Sequence, residues 1–133
     1  MTAPVALVVD PDDPTPPYEQ LRRQVRDLVG GGVLRPGDRL PPLRQLAGDL
    51  VLAVGTVARA YRELEADGLL TSRRGGGTRV SAEARALPAT ERLRRLDALA
   101  TGFVAAARAG GAGDEDVLAA TRAALGLSAP RRP

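Results

Sequence analysis

Fifteen glycines and eleven prolines fall in clusters along the 133 residues, and they cut the chain into runs fit only for short helices and strands. Asp10-Pro-Asp-Asp-Pro-Thr-Pro-Pro17 holds four prolines in eight residues and reads as an extended linker or turn, because proline fixes φ and removes a backbone donor. Gly30-Gly31-Gly32, Arg35-Pro36-Gly37-Asp38, Pro41-Pro42, Gly68, Gly75-Gly76-Gly77 and Gly110-Gly111-Ala112-Gly113 punctuate the rest of the chain.

Between these breaks the apolar spacing assigns the elements. Val5 to Val9 is a β-branched run and reads as one strand. Tyr18, Leu21, Val25, Leu28 and Val29 recur at helical spacing from a proline start, with Arg22, Arg23 and Arg26 on a solvated face. A short helix over 43–50 carries Leu43, Leu46, Ala47 and Leu50. A third, over 55–67, turns Val57, Ala60, Tyr61 and Leu64 inward and Thr56, Arg59, Arg62 and Glu63 outward. Two extended pieces, 69–73 and 78–81, flank Arg74-Gly75-Gly76-Gly77 and read as a β-hairpin with a basic glycine tip. Three helices followed by such a hairpin is the element order of a winged helix-turn-helix.

The texture changes from Glu83 onward. Leu93, Leu96, Ala100, Phe103 and Ala107 alternate at steps of three and four, a heptad-like seam that Leu99 and Val104 widen. After the glycine break, Asp114-Glu115-Asp116 places negative charge at the start of a further helix, favourable to its dipole. Two short helices bury little by themselves, so their apolar faces are expected to pack on the first domain or on another chain, a dimerising helical hairpin being the favoured arrangement. The fold class expected is mainly α with a small β-hairpin (α+β). Residues 1–82 form the winged helix-turn-helix, 83–127 a helical dimerisation region and 128–133 a disordered tail.

Composition removes whole classes of chemistry. With no cysteine and no histidine, disulfides, zinc fingers, thiol nucleophiles and Ser-His-Asp triads are excluded, and no metal or cofactor is expected. The three carboxylates of the proline-rich linker have no ligand partner at a recognisable spacing. The glycines at 75–77 lack the Lys-Ser/Thr of a phosphate-binding P-loop, so an enzyme is not expected. Aromatic residues, 2% of the chain, are too few for stacking on single-stranded bases. No run reaches the ~18–20 apolar residues of a membrane span, and the start lacks a basic signal-peptide region, so the expected location is the cytoplasm.

All nineteen basic residues are arginine, against sixteen acids. Residues 1–15 carry no base and three acids, residues 16–81 carry eleven arginines against seven acids, and residues 82–133 carry eight against six. The positive excess therefore lies mainly on the central segment, where it suits either a phosphate backbone or a solvated face.

That central segment carries a resemblance. Pro16-Pro17-Tyr18-Glu19-Gln20-Leu21, Leu34-Arg35-Pro36-Gly37-Asp38-Arg39-Leu40-Pro41 and Leu43-Arg44-Gln45-Leu46-Ala47 stand in order with Gly55-Thr56-Val57-Ala58-Arg59-Ala60-Tyr61-Arg62-Glu63-Leu64-Glu65, Asp67-Gly68-Leu69-Leu70 and Arg73-Arg74-Gly75-Gly76-Gly77-Thr78. The series resembles the DNA-binding domain of GntR-family bacterial transcription regulators. The short helical remainder, with the Thr56–Tyr61 run and the leading Asp10-Pro11-Asp12, resembles the YtrA-like short-tailed subfamily.

The resemblance implies a homodimeric repressor that binds a palindromic double-stranded operator. It puts Arg44 against the duplex and Arg74, Gly75 and Gly76 at a minor-groove wing; the start of the recognition helix adds Gly55, Thr56 and Arg59, and the heptad-like spacing gives Leu93, Leu96, Ala100, Phe103 and Ala107 as dimer contacts. A recognition helix offers its N-terminal residues to base edges, where arginine can pair bidentately with guanine and small residues permit close approach. Each site has a plainer counterpart: Arg59 can pair with Glu63 at i+4, and the glycines can simply make a turn. An unidentified small-molecule effector stays open as a further partner. A non-catalytic winged-helix protein-interaction module is the alternative function.

Three residues depart from the family pattern. Val51 stands where the helix-turn-helix turn usually has glycine, so the turn is expected to differ or to carry strain. Pro42 offers no capping hydroxyl before the second helix. Ala53 and Val54 are apolar where polar residues are usual.

Overall fold

The breaks in the sequence become the corners of the chain. A computed structural model describes residues 6–127 and divides into two compact units, one up to Pro88 and one from Ala89 onward. The first unit contains α1 (Pro17–Gly30), α2 (Leu43–Leu50), α3 (Val54–Ala66), β1 (Leu70–Arg73) and β2 (Gly77–Val80). The second contains α4 (Ala89–Ala109) and α5 (Asp114–Ala124). Among the described residues, five helices and a two-stranded sheet give an α+β fold.

In the first unit the apolar stripes close on one another. Leu21, Val25 and Val29 of α1, Leu46 and Ala47 of α2, and Val57, Ala60, Tyr61 and Leu64 of α3 are buried together with Leu70 and Val80 of the hairpin. Each buried leucine or valine removes enough apolar surface from water to contribute about 1.5–3 kcal/mol. The Tyr61 hydroxyl donates to the Pro41 carbonyl at 2.7 Å, fixing the approach to α2 against α3. Burial pushes the Tyr61 pKa up, so it stays a donor.

The hairpin is antiparallel, with Leu70 opposite Val80 and Arg73 opposite Gly77. A third extended piece lines its outer edge. The Leu40 amide donates to the Thr78 carbonyl at 2.9 Å, the Val80 amide to Asp38 at 2.8 Å and the Gly37 amide to Val80 at 2.9 Å, giving a bridge between Arg39 and Arg79. The Arg79 side chain is tied back as well, donating to the Gly37 carbonyl at 3.0 Å. The first unit runs on to residue 88, past the expected end at 82. Ala84 is buried and the Leu87 amide donates to the Gly30 carbonyl at 2.7 Å.

Three expectations need correction. The segment after Val5 is no strand: Val5 itself lies outside the described residues, and residues 6–10 pair with no other strand. Glutamines of α1 hold it instead. The Gln24 amide group accepts from the Val8 N–H at 3.0 Å and donates to the Val8 carbonyl at 2.5 Å, and Gln20 does the same for Asp10 at 2.9 and 3.0 Å. The third helix begins at Val54, one residue before the expected Gly55. Arg22 does not belong to a solvated face. Its side chain is only 20% exposed and meets Glu19 at 2.6 Å, Asp67 at 3.5 Å and Glu63 at 3.6 Å. The tail expected over 128–133 lies outside the described residues.

The second unit consists of two helices joined by a short loop. Gly111, at φ +90°, turns the chain out of α4, and Arg108 pairs with Asp114 at 3.0 Å across the loop. No residue of α4 or α5 is buried. Among the described residues no helix is long and apolar enough to cross a membrane.

Candidate nucleic-acid interface

The turn between α2 and α3 decides how α3 is presented. Val51 takes the left-handed conformation, φ 55° and ψ 50°, which costs a β-branched residue free energy. Two backbone hydrogen bonds impose it, from Leu52 N–H to the Ala47 carbonyl (2.9 Å) and from Val51 N–H to Gly48 (3.3 Å), the pairing of a left-handed helix stop. Leu50 and Leu52 on either side pack against the core and leave Val51 no other path. Its own side chain is 90% exposed. The turn expected to differ or be strained thus keeps the glycine-type geometry and bears the strain.

Past this turn, Ala53 is extended and caps α3 without any side-chain hydrogen bond, and Pro42 likewise gives α2 none. The first residues of α3 are bare. Val54 and Gly55 are exposed and Thr56 is half-buried. A Cβ built on Gly55 would meet nothing within 4 Å, so no internal packing demands glycine there; its bareness matters only to something approaching from outside.

Arg59 follows one turn on. Its guanidinium carbon lies 3.7 Å from the centroid of the Tyr18 ring, and its Nε is 3.5 Å from Glu63. The plainer counterpart is present in this geometry. The i+4 pair with Glu63 forms, yet the side chain stays 53% exposed, and stacking on an aromatic face leaves the edge N–H donors of a guanidinium open to a ligand.

The wing tip is a tight turn closed by the Gly76 amide on the Arg73 carbonyl at 2.9 Å. Gly75 (φ +79°) and Gly77 (φ +70°) occupy conformations disfavoured for other residues, while a Cβ on Gly76 would press on that of Arg73 at 3.3 Å. Turn stereochemistry therefore accounts for all three glycines. Arg74 stands exposed at the apex. The wing is braced to α3 by Ser72, which hydrogen-bonds both Glu65 and Thr78.

Charge is sorted across the unit. Arg22, Arg23, Arg26 and Arg59 are paired with Glu19, Glu63 and Asp67 on the α1–α3 side. Arg35, Arg39, Arg44, Arg62, Arg73 and Arg74 have no acidic partner among the described residues. Arg44 lines an open concavity with Arg39, Pro42, Val54, Gly77 and Thr78, where the starts of α2 and α3 meet β2. Gly76 lies with Arg73, Arg79 and Gly37 in a second concavity. The sequence pattern does not mark Arg39 and shows Arg62 only as facing outward; their want of an acid neighbour among the described residues shows only in three dimensions. Among the described residues no group of acids could hold a metal ion. The remaining expected contacts, Leu93, Leu96, Ala100, Phe103 and Ala107, all fall on α4; the first four are exposed and Ala107 is half-buried.

An unpaired basic surface around a bare helix start and a glycine-tipped hairpin defines a winged helix-turn-helix DNA-binding domain of the kind carried by transcription regulators. The family model for bacterial regulatory proteins, gntR family, matches residues 17–80. The chain is 42% identical over 79 residues to the HTH-type transcriptional repressor YtrA of Bacillus subtilis (strain 168), covering 59% of this chain and 61% of that one. It is 51% identical over 75 residues to the HTH-type transcriptional regulator Rv1152 of Mycobacterium tuberculosis, covering 56% and 62%. The matches thus span about three fifths of these relatives. The solved structure of YtrA from Sulfolobus acidocaldarius, a GntR-family transcription factor, superposes with a TM-score of 0.53 at 30% identity, covering 72% of this chain and 97% of that one. The chain belongs to the GntR family and resembles its YtrA-type members.

Proposed function

We propose that the chain is a sequence-specific transcription regulator, acting in the cytoplasm as a homodimeric repressor on a palindromic operator and performing no catalysis. The observation that carries this reading is the sorting of charge. Arginines without acidic partners gather at the start of α2, the outward side of α3 and the wing, while the acids towards the end of α3 and at its C-cap are held by Arg22, Arg26, Arg59 and Ser72. The name of the B. subtilis relative, a repressor, supports the direction of control.

In this reading α3 enters the major groove by its N-terminus. Gly55 gives close approach, Thr56 touches a phosphate or a thymine methyl, and Arg59, held flat by Tyr18, offers its guanidinium edge to guanine. Arg44 approaches the backbone beside the groove. Arg74, Gly75 and Gly76 reach the adjoining minor groove. Two copies read half-sites about 34 Å apart.

Fluorescence anisotropy at ~0.15 M salt tests it, with the DNA upstream of the chain's own gene against a scrambled duplex. A preference of ~10³ or more is expected, and Arg44→Ala and Arg59→Ala should each weaken operator binding by roughly 1–3 kcal/mol. Equal, weak binding to both duplexes, or unchanged titrations for both variants, would overturn the assignment in favour of a protein-interaction module.

A further inference from the structure

We propose that the concavity between α2, α3 and β2 seats a single phosphodiester of the duplex backbone, with Arg39 as its second cationic arm opposite Arg44. The inference rests on the reading of the first unit as a duplex-binding surface, and adds to it a residue that the helix-turn-helix pattern does not supply.

Arg39 comes from the extended piece before α2, not from the recognition elements. Its neighbour Leu40 is buried, and alternation along an extended chain turns Arg39 outward. The backbone there is fixed by the bridge to Arg79 and by the Leu40–Thr78 hydrogen bond of 2.9 Å, so the guanidinium starts from a rigid base. Arg44 projects from the first turn of α2, which Leu46 and Ala47 anchor in the core. The two arginines line one open concavity whose remaining wall, Pro42, Val54, Gly77 and Thr78 among them, contains no carboxylate.

The nearest acid in sequence is already committed: the Asp38 carboxylate accepts from the Arg35 amide at 2.8 Å. Arg39 makes no ion pair with it or with any other acid among the described residues, so its guanidinium is open to an external anion. Two guanidiniums facing an acid-free concavity match a tetrahedral oxyanion, to which arginine binds through paired N–H donors. The place of the concavity selects the kind of anion. It opens between the start of α3 and the root of the wing, the two elements that straddle a groove edge, so a phosphate of the intervening strand is the group brought to it.

A phosphate contact carries no sequence information, so the test needs no known operator. Anisotropy titrations would use two mixed-sequence duplexes of roughly 30 base pairs, long enough for two half-sites one turn apart, over a series of salt concentrations. Arg39→Gln should weaken binding roughly tenfold near 0.1 M salt, equally on both duplexes, and lower the slope of log K against log salt by about 0.9. Arg39→Lys, which keeps a point charge, should retain the wild-type slope. Arg23→Gln, on α1, should change neither.

Wild-type affinity and slope in Arg39→Gln, alongside losses in Arg44→Gln, would overturn this proposal and leave the function reading standing. Absence of duplex binding by the wild type would overturn both. A loss in Arg39→Gln that Arg39→Lys fails to restore, with a lowered melting temperature, would assign Arg39 to the fold and overturn the proposal equally.

Discussion

Val51 shows how much a single residue can be made to bear. Its left-handed backbone is imposed by the two hydrogen bonds that end α2 and by leucines packed on both sides, while its own side chain contributes almost no burial. Glycine has no steric penalty in that conformation, although it also loosens the unfolded chain. Relief of the strain at φ 55° outweighs that loss, since a β-branched residue in the left-handed region costs of order 1–3 kcal/mol. Val51→Gly should stabilise the first unit by about 1 kcal/mol and raise its melting temperature by roughly 4–8 °C. A thermal melt followed by circular dichroism checks this, and a lowered midpoint would mean that the exposed valine has a compensating role in the folded chain.

At the scale of elements, the first unit is held by more than its apolar core. Arg22 of α1 hydrogen-bonds Glu19 through two N–H groups, at 2.8 and 2.6 Å, and reaches Glu63 and Asp67 at the far end of α3. This guanidinium holds the Glu19 carboxyl down to about 2, well under its unfolded value of ~4.3. A depressed carboxyl stabilises the fold wherever the unfolded chain would also be ionised. That contribution is whole above about pH 4.3 and is lost as the pH falls towards 2. The urea midpoint of the wild type should therefore drop across that window, and Glu19→Gln should have a lower midpoint at pH 6 with a flatter decline below 4.3. Parallel curves for the two proteins would remove Glu19 from the account. This network also marks the limit of what the sequence discloses. The helices of the first unit, the hairpin and the inward positions of α3 were legible, because each is written in local spacing and in glycine or proline breaks. The Glu63 and Asp67 partners of Arg22, the Tyr18–Arg59 stack and the glutamine clamp on residues 8–10 join segments well separated in the chain. The helical period says only which way a side chain faces, never which distant residue meets it. Arg39 is not marked out by its local sequence for the same reason, since only the absence of acids around it in space distinguishes it.

At the scale of the whole molecule, the second unit presents an apolar face that its own two helices leave exposed. Leu93, Leu96, Ala100 and Phe103 are exposed along α4, a helix of 21 residues and so about 32 Å long. Their three- and four-residue steps place them on one stripe, as a seam between paired helices requires. A face of this kind in water favours association, and a two-fold pair of chains is the simplest closed arrangement that covers it. Leu96→Asp and Phe103→Asp would each put a charge into that seam. Sedimentation of the wild type should give twice the 13.9 kDa of one chain, and both variants should sediment as single chains. Since the buried core of the first unit contains neither residue, a duplex with one half-site should bind variants and wild type alike. A duplex with two half-sites should bind the variants at least ~10²-fold more weakly, because linkage through the dimer makes the second contact effectively intramolecular. A wild type that sediments as a single chain, or variants that keep the dimer mass, would take α4 out of the dimer and leave its apolar stripe to a different protein.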